Sequence, residues 1–107
     1  ELGLGTSVDF KKAYEWYSKA AEQNNKDAIY NLGEFYYYGK YVEQNYDEAL
    51  KHFKRVIKID PTDGMVHSLI GFIYNELGNK EEAIKWLIKA SKLGIEEAMQ
   101  FLEENQK

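Results

Sequence analysis

The sequence predicts an all-α fold, and three observations support that prediction. Apolar residues recur at steps of three and four along most of the 107 residues, which is the spacing of one buried helical face. Glycine or the single proline stands at most joints between these segments. No stretch alternates apolar and polar residues in the manner of a strand. We therefore expect about five helices and no sheet.

The first helix is predicted over residues 9–24, after a loop over residues 1–7, with Asp9 as its N-cap. The second is predicted over residues 27–38 and is expected to end at Gly39. The apolar face of the first helix comprises Phe10, Ala13, Tyr14, Tyr17, Ala20 and Ala21, and that of the second comprises Ala28, Leu32, Phe35 and Tyr36.

The third helix is predicted over residues 46–59, because Asn45 and Glu48 have the spacing of a capping box and Pro61 follows. The fourth is predicted over residues 64–77. The apolar face of the third helix comprises Ala49, Leu50, Phe53, Val56 and Ile57, and that of the fourth comprises Val66, Ile70, Gly71, Ile73 and Tyr74.

The fifth helix is predicted over residues 80–93, where Asn79 and Glu82 repeat the capping spacing. A last segment over residues 95–105 follows Gly94. The apolar positions of these two segments are Ala83, Ile84, Leu87 and Ala90, followed by Ala98, Met99 and Leu102.

An internal repeat relates these segments. Ala13, Ala49 and Ala83 correspond at spacings of 36 and 34 residues. The intervening helices also match, since Ala28, Leu32, Gly33 and Tyr36 correspond to Val66, Ile70, Gly71 and Tyr74. Periods of this length indicate a solenoid of two-helix units. We predict one domain of roughly two and a half repeats, divided into residues 1–24, 25–61, 62–94 and 95–107.

The residues of the repeat carry a family resemblance. The pattern of the second unit is Leu32-Gly33…Tyr36…Ala49…Phe53…Val56…Pro61, which resembles a tetratricopeptide repeat with a loop four residues longer. The next unit, Ile70-Gly71…Tyr74…Gly78-Asn79…Ala83…Leu87…Ala90, looks like a tetratricopeptide unit of standard length. The opening, Gly3-Leu4-Gly5…Asp9…Ala13…Trp16-Tyr17-Ser18-Lys19-Ala20-Ala21, is similar to a Sel1-like repeat.

The resemblance implies a hybrid of the two repeat types, because the loop over residues 39–45 keeps the Sel1-like length while Tyr41 replaces its second glycine. Both families form right-handed α-solenoids of antiparallel hairpins that act as protein-binding scaffolds. Gly3 lies 36 residues before Gly39, so residues 1–2 correspond to the end of a preceding first helix. We accordingly expect a longer parent array, in which Trp16 or Tyr17 would find the rest of its packing.

The same resemblance suggests which residues line a concave groove, because such arrays line it with the first helix of each hairpin. The residues that the resemblance assigns to the groove are Tyr30, Asn31, Glu34, Tyr37, Met65, Leu69, Phe72, Gln100 and Phe101. Exposed apolar groups often mark partner sites. For Leu69 and Phe72 the alternative is packing against a neighbouring helix.

Composition and spacing narrow the range of partners. A net charge of −4 argues against a nucleic-acid surface, and no apolar run approaches a membrane-spanning length. Neither a catalytic constellation nor a cofactor loop is evident. His52 and His67 have no ligand beside them at helical spacing, so no metal site is expected. Only Asn31 matches the basic clamp with which some tetratricopeptide modules hold acidic C-termini, while Glu34 and Glu97 favour an apolar or basic peptide.

We therefore predict a non-enzymatic module that binds a protein or peptide in its groove, without a cofactor, a nucleic acid, a membrane or a small-molecule substrate. The alternative is a purely structural solenoid segment of a larger complex or multidomain protein. The sequence leaves the oligomeric state open.

Overall fold

The structure is a computed structural model that describes residues 7–105. Within these residues the chain forms six helices and no strand, so the all-α prediction is confirmed and the expected count of about five is one too low. The helices are α1 (Ser7–Glu22), α2 (Lys26–Tyr38), α3 (Tyr46–Ile59), α4 (Gly64–Glu76), α5 (Lys80–Lys92) and α6 (Glu96–Glu104). The short last segment makes up the difference, because it forms a helix of its own. The chain divides into two compact units, Glu1–Arg55 (unit 1) and Val56–Lys107 (unit 2).

Side-chain caps fix the beginnings of four of the described helices. The capping oxygens accept hydrogen bonds from backbone N–H groups three residues on: Asn25 from Ala28 (3.0 Å), Asn45 from Glu48 (3.0 Å), Asp63 from Val66 (3.1 Å) and Asn79 from Glu82 (3.2 Å). The prediction of Asp9 as an N-cap is wrong. The first helix already begins at Ser7, so Asp9 lies in its first turn, where a carboxylate still favours the positive end of the helix dipole. The rest of the loop predicted over residues 1–7 lies outside the described residues.

The core of unit 1 forms where α2 meets α3 and where α1 meets α2. The ring of Phe53 is fully buried, and it lies so close to Gly33 that a Cβ atom at this position would be 2.5 Å from Phe53 Cε1. The absence of a side chain at Gly33 therefore lets the Phe53 ring pack directly against α2. Phe35 is also buried, and its ring contacts those of Phe10, Tyr14 and Tyr17 at centroid distances of 5.9–6.1 Å. Aromatic packing therefore holds the helices of unit 1 together.

The core of unit 2 forms where α5 packs against α4 and α6. Leu87, Ala90 and Ala98 form its buried cluster. A Cβ atom on Gly71 would lie 2.6 Å from Leu87 Cγ, so this contact has the same form as the one between Gly33 and Phe53. The expectation that Met99 is buried is wrong, because α6 covers the core with Ala98, Phe101 and Leu102 and turns Met99 outward.

Apart from two glycines, three buried residues among those described fall outside the predicted faces, namely Ile29, His67 and Ser68. In the polar pair, the Ser68 hydroxyl donates to the Met65 carbonyl at 2.7 Å and His67 Nδ1 contacts the Asp63 carbonyl at 3.0 Å. Each of these polar groups can therefore be buried with a hydrogen-bond partner inside its own helix.

Candidate functional site

The four residues predicted to line the groove on α2 lie on its less buried side, and we call them the α2 face (Tyr30, Asn31, Glu34, Tyr37). All four are half-buried. The Tyr30 hydroxyl donates to Glu34 Oε2 at 2.9 Å, one helical turn away. The rings of Tyr30 and Tyr37 also rest on Phe53, at centroid distances of 5.7 and 6.4 Å. The α2 face thus combines tyrosine rings anchored on the core with one carboxylate.

A cleft of about 310 Å³ opens beside this face, and we call it the α1–α2 cleft. It is lined by Phe10, Ala13 and Tyr17 of α1, by Asn31, Glu34 and Phe35 of α2, and by Lys40. Phe35 is the buried floor, and the rings of Phe10 and Tyr17 stand against it nearly edge-on, with interplanar angles of 84° and 88°. The structure therefore brings Asn31 and Glu34 together in one concave, aromatic site.

The remaining predicted residues lie in unit 2, and we call them the α4 face (Met65, Leu69, Phe72 of α4 and Phe101 of α6). Met65 is 46% exposed and Leu69 is half-buried. Phe72 and Phe101 pack partly against the unit 2 core, with their ring centroids 5.8 Å apart. Phe72 is therefore both a surface residue and a packing residue, and a polar substitution there would disturb folding as well as any binding. Gln100 and Glu97, which the sequence placed near this face, are exposed.

A polar aromatic network lies behind the α2 face. The hydroxyls of Tyr14 and Tyr36 are 2.9 Å apart, and His52 stacks on Tyr36 with a ring-centroid distance of 5.6 Å and an interplanar angle of 19°. The hydrogen bond with Tyr14, followed by burial and by the charges of Tyr14 and Glu48, raises the pKa of Tyr36 to about 12. The rings of Tyr14 and His52 pack α2 against α1 and α3, and the raised pKa keeps the Tyr36 hydroxyl protonated beyond its ordinary value of 10.0.

Arg55 has a structural role that the sequence did not indicate. Its Nη2 donates to the Ala21 carbonyl at 2.9 Å and to Asn24 Oδ1 at 3.1 Å. These acceptors lie at the C-terminal end of α1, where a cation complements the helix dipole. Because Arg55 is more than 30 residues away along the chain, no local pattern could have revealed this contact.

Trp16, His52 and Trp86 occupy equivalent positions of α1, α3 and α5. Trp86 and His52 each contact the first helix of their own hairpin. The ring centroids of Trp86 and His67 are 5.5 Å apart, and those of His52 and Tyr36 are 5.6 Å apart. Trp16, at the equivalent position of α1, is 62% exposed and contacts the ring of Tyr17.

Among residues 7–105 the structure brings no three potential metal-ligating His, Asp or Glu side chains together. Within the same residues, no helix is long and apolar enough to span a bilayer.

Two family models match the chain. The model described as regulator of microtubule dynamics protein 1-3 matches residues 36–104, which is more than half of the chain. The Sel1 repeat model matches residues 1–25. The boundary between the two matches lies within the hairpin whose loop made the sequence a hybrid.

Relatives and solved structures agree with these matches. Regulator of microtubule dynamics protein 1 of Rattus norvegicus is 32% identical over 80% of this chain and 35% of its own length. A TPR repeat-containing protein of Methanocaldococcus jannaschii is 35% identical over 87% of this chain and 16% of its own length. The crystal structure of a Sel1 repeat protein from Oxalobacter formigenes superimposes with a TM-score of 0.76 at 31% identity, covering 95% of this chain and 42% of that one.

These comparisons confirm the predicted resemblance to tetratricopeptide and Sel1-like repeats and the solenoid of helical hairpins. Such folds generally serve as protein-interaction modules. The chain spans only between 7% and 35% of the length of five curated relatives that it matches.

Proposed function

The chain belongs to the family described as regulator of microtubule dynamics protein 1-3, and from this premise we propose that it is a non-enzymatic module that binds a protein partner. The partner, a peptide segment or a helix, contacts the first helices of the hairpins through the α2 face and the α4 face. No cofactor takes part in this binding.

One observation carries the proposal. The first helices of the two hairpins, α2 and α4, leave apolar or aromatic side chains at the surface beside polar groups. Met65 is the clearest case at 46% exposed. Tyr30 and Tyr37 have rings held by Phe53, so little conformational entropy is lost when a partner covers them. Rigid tyrosines and accessible methionines are typical of protein-binding surfaces.

The experiment uses photo-crosslinking residues at Tyr37 and Met65 of the chain, with Lys51, an exposed residue of α3, as the control position. We expect one partner protein to be crosslinked from both faces and not from Lys51. Equal crosslinking from all three positions, or crosslinks only to this chain's own parent protein, would favour the structural-segment alternative over a binding module.

A matched pair of substitutions then tests the α4 face. Met65 and Met99 are 46% and 43% exposed, and only Met65 belongs to the proposed face. We expect Met65→Gln to weaken binding of the crosslinked partner at least fivefold and Met99→Gln to leave it unchanged. Circular dichroism should show the same helicity for both variants. Equal affinities for the two variants would remove Met65 from the interface.

The family membership also favours a second, more specific candidate. The name of the rat relative, regulator of microtubule dynamics protein 1, suggests a process in which such a binding module would act. The corresponding test follows tubulin assembly by turbidity in the presence of the chain. A change in assembly rate that Met65→Gln abolishes would support this role, whereas an unchanged rate would remove it and leave the general binding proposal in place.

A further inference from the structure

We infer that the α1–α2 cleft is a binding pocket for an arginine side chain, presented by a basic segment of the partner protein. This inference rests on the proposed function, because it names the chemistry that the partner offers to one part of the α2 face. It is carried by the lining of the cleft, by the state of its carboxylate and by its size.

The carboxylate of Glu34 is available to a cation. The hydrogen bond from the Tyr30 hydroxyl occupies Oε2, and within the described residues no Lys or Arg lies within ion-pair distance of Glu34. The bond from Tyr30 holds the carboxylate in place and leaves Oε1 available. A positioned and half-buried carboxylate of this kind forms stronger ion pairs than one on a mobile, exposed side chain.

A second polar group lies one turn away on the same side of α2. Asn31 lines the cleft with Glu34, and among residues 7–105 no hydrogen bond to its side-chain amide is formed. The amide oxygen of Asn31 can accept an N–H bond while the Glu34 carboxylate accepts another. Two acceptors on one wall suit a donor group that carries several N–H bonds in a fixed plane.

The other walls are aromatic, which distinguishes arginine from lysine. Phe10, Tyr17 and Phe35 line the cleft, and the rings of Phe10 and Tyr17 meet that of Phe35 edge-on. A guanidinium group is planar, stacks on aromatic rings and is weakly hydrated, whereas an ammonium group is compact and strongly hydrated. The cleft volume of about 310 Å³ lies at the lower end of the range for ligand pockets, roughly 300–1,000 Å³. It suits one long side chain with its adjoining backbone.

Among the described residues that line the cleft, Lys40 is the one with a basic side chain. Its substitution therefore reports the charge of the ligand. Lys40 Nζ lies 5.4 Å from the centroid of the ring of Tyr38, a residue that is not among those lining the cleft. For a basic ligand, Lys40 opposes binding. For an acidic ligand, Lys40 would be the main attractive group and Glu34 the repulsive one. Glu34→Gln and Lys40→Gln therefore shift the affinity in opposite directions, and the direction identifies the ligand charge.

The test is an NMR titration of the ¹⁵N-labelled chain with four peptides that differ only in one central residue: arginine, citrulline, leucine or glutamate. Citrulline keeps the shape of arginine without its charge. We expect the arginine peptide to shift amides in residues 10–17 and 31–40 and to bind at least tenfold more tightly than the other three. Glu34→Gln should weaken its binding at least fivefold, Lys40→Gln should strengthen it, and Glu81→Gln, which removes the same charge from α5, should leave it unchanged.

Several results would overturn the inference. Equal binding of the arginine and citrulline peptides would exclude a charge-specific pocket, and tighter binding of the leucine or glutamate peptide would assign the cleft to an apolar or acidic segment. Shifts of the same amides on dilution of the free chain would assign it to a second copy. If the partner crosslinks from Tyr37 while no arginine peptide binds, this inference fails and the proposed function stands. If no partner crosslinks from either face, the proposed function fails whatever the peptides do.

Discussion

In the hairpins α2–α3 and α4–α5, the two helices pack through the same kind of contact but with different side chains. In each, a glycine of the first helix admits a large side chain of the second, with Phe53 against Gly33 and Leu87 against Gly71. In each, the asparagine that begins the second helix also donates its backbone N–H to a tyrosine carbonyl of the first helix, at 2.9 Å. The interior of the repeat is thus preserved although an aromatic ring replaces an aliphatic group.

The two hairpins differ in their loops and in their outward surfaces. The first has a loop of seven residues, Gly39 to Asn45, and the second turns within three, Leu77 to Asn79. The α2 face carries tyrosines and a carboxylate, whereas the α4 face is apolar. Contacts inside a hairpin constrain only the buried positions, so the loop and the surface can diverge and acquire separate binding chemistries.

The largest expected effects come from closing the glycine contacts. Gly33→Ala and Gly71→Ala would place a Cβ atom 2.5 Å from Phe53 and 2.6 Å from Leu87. The overpacking should lower the free energy of unfolding by about 1–3 kcal/mol, although alanine gains up to about 1 kcal/mol in helix propensity. Gly71→Ala should be the more damaging of the two, because the backbone oxygen of Ala83 is also only 3.1 Å away. Urea unfolding measures both variants.

A compensating substitution checks the cause of the Gly33 effect. Phe53→Val removes the ring that a Cβ atom on residue 33 would meet, so Gly33→Ala should cost much less in the Phe53→Val background than in the original chain. Equal costs in the two backgrounds, or a stabilising Gly33→Ala, would contradict the contact as described.

The next largest effect concerns Arg55, the residue through which hairpin α2–α3 makes hydrogen bonds to the end of α1. Arg55→Ala removes two hydrogen bonds from a cation to the end of α1, and we expect a loss of about 1–2 kcal/mol in the free energy of unfolding. Lys51, whose 3.6 Å ion pair with Glu48 is exposed to solvent, provides the control Lys51→Ala. Urea unfolding again gives the comparison, and equal costs for the two variants would show that Arg55 is only part of a solvated basic face.

The sequence predicted local features well because their causes are local. The beginnings of α3 and α5 follow from Asn45 and Asn79 three residues before a glutamate, and the end of α2 follows from Gly39, which adopts φ 74°. The buried faces were predicted from the spacing of apolar residues. This spacing is also local, because the helical period alone fixes which positions share one side of a helix.

Contacts between distant residues were not predictable in this way. Three such features depend on how whole helices pack: the hydrogen bond from Arg55 to Ala21, the packing of Trp86 on His67 and the outward position of Met99. The candidate residues Asn31 and Glu34 were predicted from the family resemblance, but the cleft that contains them forms only when α1 packs on α2. No single helix carries that information.

A smaller effect is expected at Tyr41, the residue that marks the long loop. Its φ of 61° lies in the left-handed region, which costs a non-glycine residue about 1 kcal/mol, and its ring contacts that of Tyr14 at 5.5 Å. Tyr41→Gly relieves the strain and removes the contact, so the free energy of unfolding should change by less than about 0.5 kcal/mol. In a Tyr14→Leu background the contact is already absent, and the same substitution should stabilise. Thermal unfolding of the four variants measures this, and a large loss in both backgrounds would refute the strain.

The effect that is smallest at neutral pH concerns Tyr36 of the first hairpin. The pKa of Tyr36 is raised from 10.0 to about 12, chiefly by the hydrogen bond with Tyr14, so the folded state holds this proton more tightly than the unfolded state. The stabilisation is therefore complete below pH 10 and is lost as the pH rises through about 12. In a spectrophotometric titration of tyrosinate, Tyr36→Phe should remove a late phase near pH 12. If Tyr36→Phe leaves that phase in place, the hydrogen bond between Tyr14 and Tyr36 does not govern the titration.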